Sequence, residues 1–143
     1  MDNARSRYIA DAIETASPAR LLTMLYDRLI LDLSRAEKAL DSGDRNGAMP
    51  LVGHAEEIVG ELMGMLDERV WDGAARLMSI YAFVLKELLA AGATGNRARI
   101  ARCRALLEPL ALAWHEAADE VGRASVPAQR DDEVRSPGLL GVG

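Results

Sequence analysis

A serine and a proline stand at the head of the first long apolar stripe in this chain, and they fix where its first helix begins. Ser17 offers a hydroxyl that can accept from a free amide one turn on. Pro18 then takes the first helical position, where its missing N–H costs nothing. The stripe that follows is Leu22, Leu25, Leu29, Leu33, Ala36 and Leu40. Its steps of three and four residues trace one face of an α-helix. Ser42-Gly43-Asp44 ends the segment, so the first helix is expected from about Pro18 to Leu40.

Three further segments repeat the pattern. The second reaches about Leu66 and turns Ala55, Ile58, Val59, Leu62 and Leu66 inward. Pro50 belongs in its first turn, because deeper in a helix the ring breaks the hydrogen-bond ladder. After a break from Asp67 to Val70, the third segment runs from about Trp71 to Ala91 with Ala74, Leu77, Met78, Tyr81, Leu85 and Leu88 on one face. Gly92-Ala93-Thr94-Gly95 closes it. The fourth runs from about Asn96 to Val121 through Ile100, Cys103, Leu107, Leu110, Trp114 and Val121, and Pro109 inside it predicts a kink. Four amphipathic helices with short links specify an all-α fold, an antiparallel four-helix bundle. Residues 1–16 form an N-terminal arm whose Tyr8, Ile9 and Ile13 are too apolar for a simple solvated tail. From about Arg123 the chain turns to Ser, Pro, Gly and mixed charge, which predicts a disordered C-terminal tail over 123–143 and a single domain over 1–122.

Composition narrows the function classes. A net charge of −5 weighs against nucleic acid, which needs a basic footprint. The run Arg97, Arg99, Arg102 and Arg104 spreads around a helix and reads as a solvated face. Cys103 is the only cysteine, so no intramolecular disulfide can form, which is compatible with a reducing cytoplasm. The N-terminus lacks the apolar core of a signal peptide, and no uninterrupted run approaches the roughly 18 apolar residues of a membrane span. A soluble cytoplasmic protein without membrane insertion is expected.

Some apolar residues fall away from the inner stripes. Met24 and Leu31 lie nearly opposite Leu22 and Leu29; Ile80 and above all Phe83 lie away from Tyr81 and Leu85. A bundle needs one apolar face per helix, so these four are either ordinary exposed residues or part of a groove for a partner helix. In the second helix Gly53, Gly60 and Gly64 share one line, flanked by Met49, Val52 and Met63. Interior glycines cost a helix roughly 1 kcal/mol each relative to alanine. The line is therefore either a mobile stretch or a smooth floor, a secondary groove where another backbone approaches.

The chemistry of an enzyme is missing. Neither His54 nor His115 follows a glutamate by three residues, as a di-iron bundle requires. Two remote histidines and one cysteine do not make a zinc site. There is no phosphate loop and no nucleophile elbow. A phosphorelay role for His54 is disfavoured by Glu57, which stands one turn on and would repel phosphate. No cofactor is expected.

Taken together, Tyr8 to Ile13, Thr15-Ala16-Ser17-Pro18 and Leu21-Leu22-Thr23-Met24-Leu25-Tyr26-Asp27 resemble the flagellar export chaperone family FliS. The resemblance continues through Ala55, Ile58, Val59, Leu62 and Leu66-Asp67, then Leu77, Ile80, Tyr81, Phe83, Leu88 and Ala91, and finally Leu107, Leu110, Ala113-Trp114 and Ala117. It covers about Tyr8 to Val121. Arg28 stands where family members often carry glycine, and Pro50 and the glycines of the second helix are unusual. The resemblance implies a helical bundle that binds the C-terminal segment of flagellin in the cytoplasm, blocks its premature polymerisation and delivers it to the flagellar export gate. It also implies that the arm, with Tyr8, Ile9 and Ile13, lies over part of the binding surface, to which Met24, Leu31, Ile80 and Phe83 would belong. A four-helix scaffold for another amphipathic helix remains the competing reading, and surplus apolar patches serve a homodimer equally well.

Overall fold

The computed structural model describes residues 17–67, 69 and 72–142, with side chains as far as Arg123. Four helices follow one another: α1 (Pro18–Asp41), α2 (Arg45–Met65), α3 (Gly73–Thr94) and α4 (Arg97–Val142). No strand occurs among the described residues. Helix α1 packs on α2 and α4, and α3 closes the square by packing on the same two. Glu37 of α1 meets Arg104 of α4 while Asp27 meets His115, so the two helices run in opposite directions. The antiparallel four-helix bundle that the periodicity predicts is the observed fold. The arm with Tyr8, Ile9 and Ile13 lies outside the described residues, as does Trp71.

The helix ends follow from local chemistry. The Arg20 N–H donates to Ser17 Oγ at 3.2 Å, and Pro18 opens α1 as the sequence indicates. Helix α2 begins earlier than Pro50 suggests. Asp44 caps it by accepting from the Gly47 N–H at 2.8 Å, so Pro50 falls beyond the first turn. An N-cap contributes about 1 kcal/mol and an interior proline costs about 3 kcal/mol, so the turn is held by the burial of Ala48, Val52 and Ala55, with the Pro50 ring on the exposed side. Helix α3 ends at Gly95, whose φ of 71° is the left-handed region, with its N–H donating to the Ala91 carbonyl at 2.7 Å.

The helical backbone of α4 is assigned from Arg97 to Val142. The side chains of the expected tail, 124–143, lie outside the described residues. Helix α3 is more apolar than the sequence reading allowed. An 18-residue stretch of it reaches a mean hydropathy of 1.4, apolar and long enough by composition to cross a membrane, because only Lys86 and Glu87 interrupt it. Its buried face, including Leu77, Tyr81, Val84 and Leu88, is used inside the bundle.

The core is a column of Tyr26, Leu29, Leu33, Ile58, Val59, Leu62, Tyr81, Leu88, Ile100 and Leu107. Several expected core residues stand at its margins. Leu22, Leu25, Leu40, Leu66, Leu85, Leu110 and Trp114 are half-buried against it, and Val121 is 61% exposed. Tyr26, Val84 and Ala111 take central places instead. The buried stripe of α1 is rotated toward Tyr26 because that face meets α2 and α4 together.

The arginines of α4 do not form a solvated face. Arg104 holds buried Glu37 of α1 through two guanidinium contacts, Arg97 stands 3.5 Å from the same carboxylate, and Arg97 also pairs with Asp41 at 2.5 Å. Arg99 and Arg102 hold buried Glu87 of α3 at 3.2 and 3.4 Å. Buried carboxylates require such partners, since an ionised group out of water is costly unless paired. The hydrogen bond to Glu37 leads the causes that push the Arg104 pKa up.

Candidate functional site

Where α1 and α3 begin and α2 ends, the bundle does not fill its own interior. A cavity of about 350 Å³ opens there, lined by Pro18, Ala19, Leu22, Leu62, Met65, Leu66, Leu77, Tyr81, Trp114, Ala117 and Val121. Two aromatic residues, Tyr81 and Trp114, line it, and Tyr26 packs against both from the core. The Tyr26 and Tyr81 hydroxyls share a hydrogen bond of 2.6 Å, and the Tyr26 ring lies 6.3 Å from both the Tyr81 and Trp114 rings. One hydroxyl donates and the other accepts, and Trp114 hydrogen-bonds Tyr26 as well. Burial raises the pKa of both phenols. The cavity therefore offers apolar surface with almost no polar group to claim, and it suits aliphatic or aromatic side chains.

Pro18 and Ala19, the first two residues of α1, are part of the cavity lining.

A second opening, of about 430 Å³, runs along the seam of α1 and α2. Leu21, Met24, Leu25 and Ile58 form its apolar part, and Arg28, His54, Glu57 and Glu61 its polar part. Beneath it Asp32 is wholly buried. His54 Nδ1 hydrogen-bonds to Asp32 Oδ2, and Arg28 Nε stands 3.3 Å from Oδ1. Among the described residues no three His, Cys, Asp or Glu side chains converge on a metal position.

The residues singled out from the sequence do not gather into one surface. Met24 is half-buried in the α1–α2 seam. Leu31 is 40% exposed on the back of α1. Phe83 is equally exposed on α3, whereas Ile80 is half-buried against the core and so has a packing role the wheel denied it. In the second helix Val52 is a core residue, not a groove residue, because it faces α3 close to Gly92. Met49 and Met63 are also partly packed on the core. Gly53, Gly60 and Gly64 have open space where a Cβ would stand, so no backbone among the described residues approaches them.

The end cavity went unrecognised because most of its lining reads as core stripe. The available signal was the pair of small residues, Ala19 and Ala117, at the same end of the bundle as Trp114.

Comparison with known proteins adds the family. A family model described as "Flagellar protein FliS" matches residues 1–121. The flagellar secretion chaperone FliS of Escherichia coli K12 is 27% identical over 110 residues, covering 76% of this chain and 81% of that protein. The namesake of Salmonella typhimurium LT2 is 28% identical over 110 residues, covering 76% and 82%. The crystal structure of a bacterial flagellar chaperone superposes with a TM-score of 0.66 at 21% identity, over 82% of this chain and 97% of the other, and shows the same fold.

Proposed function

The chain belongs to the FliS family of flagellar proteins, and from that premise we propose that it is a cytoplasmic export chaperone for flagellin. It binds the C-terminal segment of flagellin, keeps it from polymerising early and hands it to the flagellar export gate. The end cavity carries this reading: a helical bundle that leaves an apolar hollow of about 350 Å³ at one end has surface to offer a partner. A disordered client that folds on binding loses roughly 2–5 kcal/mol or more in ordering, so it needs such apolar contact. The first residues of α1, Pro18 and Ala19, line the hollow, and the preceding Tyr8, Ile9 and Ile13 would cover it until the client displaces them. Binding of this kind calls for no catalytic group and no cofactor.

The test is a titration of the full-length protein with the C-terminal segment of its cognate flagellin. Micromolar or tighter binding is expected, together with a change in tryptophan emission as the client reaches Trp114. Ala117→Trp fills the hollow from α4; it should leave helicity intact and remove most of the affinity. A folded wild-type protein that ignores the segment at micromolar concentration would instead favour a scaffold for another helix.

A further inference from the structure

Three carboxylates are buried among the helix seams of this bundle, and they are not treated alike. Glu37 and Glu87 are each held by two arginines of α4. Asp32, the third, has His54 on one oxygen, while its Oδ1 accepts no hydrogen bond and meets only the half-exposed Arg28 at 3.3 Å. Both of its partners line the α1–α2 groove. Glu57 and Glu61 stand on the same groove, and neither makes an ion pair or hydrogen bond among the described residues. Three carboxylates against one guanidinium leave the groove net negative.

The groove and the end cavity share no lining residue, but they lie one turn apart on the same two helices, Leu25 after Leu22 and Ile58 before Leu62. Leu22, Leu62 and Met65 line the cavity, and Leu21, Leu25, Ile58 and Glu61 on the same two helices line the groove. We infer that the α1–α2 groove is a second subsite for the same client, one that takes an apolar helical turn carrying a lysine or arginine. Met24 and Ile58 receive the apolar side; Glu57 and Glu61 receive the cation, over the buried charge of Asp32. The inference rests on the flagellin reading above.

The experiment measures affinity of the full-length protein for the C-terminal segment of its cognate flagellin, at low and at physiological salt. The pair Glu57→Lys with Glu61→Lys should weaken binding about ten-fold or more, an effect that shrinks as salt rises. Glu116→Lys with Asp119→Lys makes the same change in net charge on exposed α4 and should stay within about two-fold. Circular dichroism checks the fold. If the lysine pair does not fold, Glu57→Gln with Glu61→Gln is the substitute, with about a three-fold loss expected. Wild-type protein that binds no segment overturns both readings. Wild type and lysine pair binding alike overturns the groove alone, as does an equal loss in the α4 control. Loss of self-association in the lysine pair, with client affinity unchanged, assigns the groove to a second copy and also overturns the inference.

Discussion

The seams that α4 makes with α1 and α3 differ from the seam between α1 and α2. In the first two, Glu37 and Glu87 each meet two arginines, so a buried charge is closed off by partners from the facing helix. In the third, Asp32 is completed by a histidine and by an arginine of its own helix, both of which also face an open groove. The α4 seams read as fastenings. The α1–α2 seam reads as a surface left unfinished by the bundle. Burial of a charge therefore does not by itself identify a working site in this fold; the accessibility of its partners separates the two cases.

The sharpest way to break this contrast is to remove one cation from each kind of seam. Arg104→Ala leaves Glu37 buried with only Arg97 at 3.5 Å, and the expected loss is about 3 kcal/mol. Arg28→Ala leaves the His54 hydrogen bond to Asp32 in place and removes a contact that is not a hydrogen bond, so about 1 kcal/mol is expected. Urea denaturation of both variants checks the pair. Equal losses would mean that the two seams are energetically alike.

A smaller effect sharpens the α3–α4 side. Cys103 lies in that seam, fully buried, with its thiol directed at the Val84 carbonyl. Burial first, and then the charge of Glu87, push its pKa up to about 12. An unfolded thiol ionises near about 8.5, so above that pH the unfolded chain binds fewer protons than the folded one, and stability falls. The slope approaches at most about 1.4 kcal/mol per pH unit, and between about pH 8 and 9.5 a loss of roughly 1 kcal/mol is expected, before tyrosines ionise. Cys103→Ala should flatten that slope. An unchanged slope would show that the thiol is not the group being titrated.

What could be read from the sequence follows the same division. The Ser17-Pro18 start, the four periodic stripes and the Gly95 stop are local signals, and each has its counterpart in the helices. Asp32, Glu37 and Glu87 are buried beside those stripes, and nothing in the periodicity marks them as buried or names their partners. Which arginine meets which glutamate depends on the register of one helix against another, and periodicity within a helix carries no register. The arginines of α4 thus read as solvated until Glu37 and Glu87 are placed beside them. The end cavity was hidden for a similar reason: Leu62, Leu77 and Tyr81 are apolar stripe residues whether or not the space between them is filled.

Phe83 offers the smallest expected change in stability and a direct check on where the α3–α4 seam ends. Its neighbours in sequence fall on both sides of the boundary: Val84 is wholly buried and Ala82 is exposed. Glu87, one turn on, faces Arg99 and Arg102, so Phe83 continues that edge of α3 on its outer side. With 40% of its surface in water, Phe83→Asp should cost no more than about 1 kcal/mol and leave helicity near normal. If the client wraps past the end cavity to this side of the bundle, the same variant loses flagellin binding while remaining folded. A fall of several kcal/mol would instead place Phe83 among the fastenings, and the apolar edge would belong to the core that α3 and α4 share.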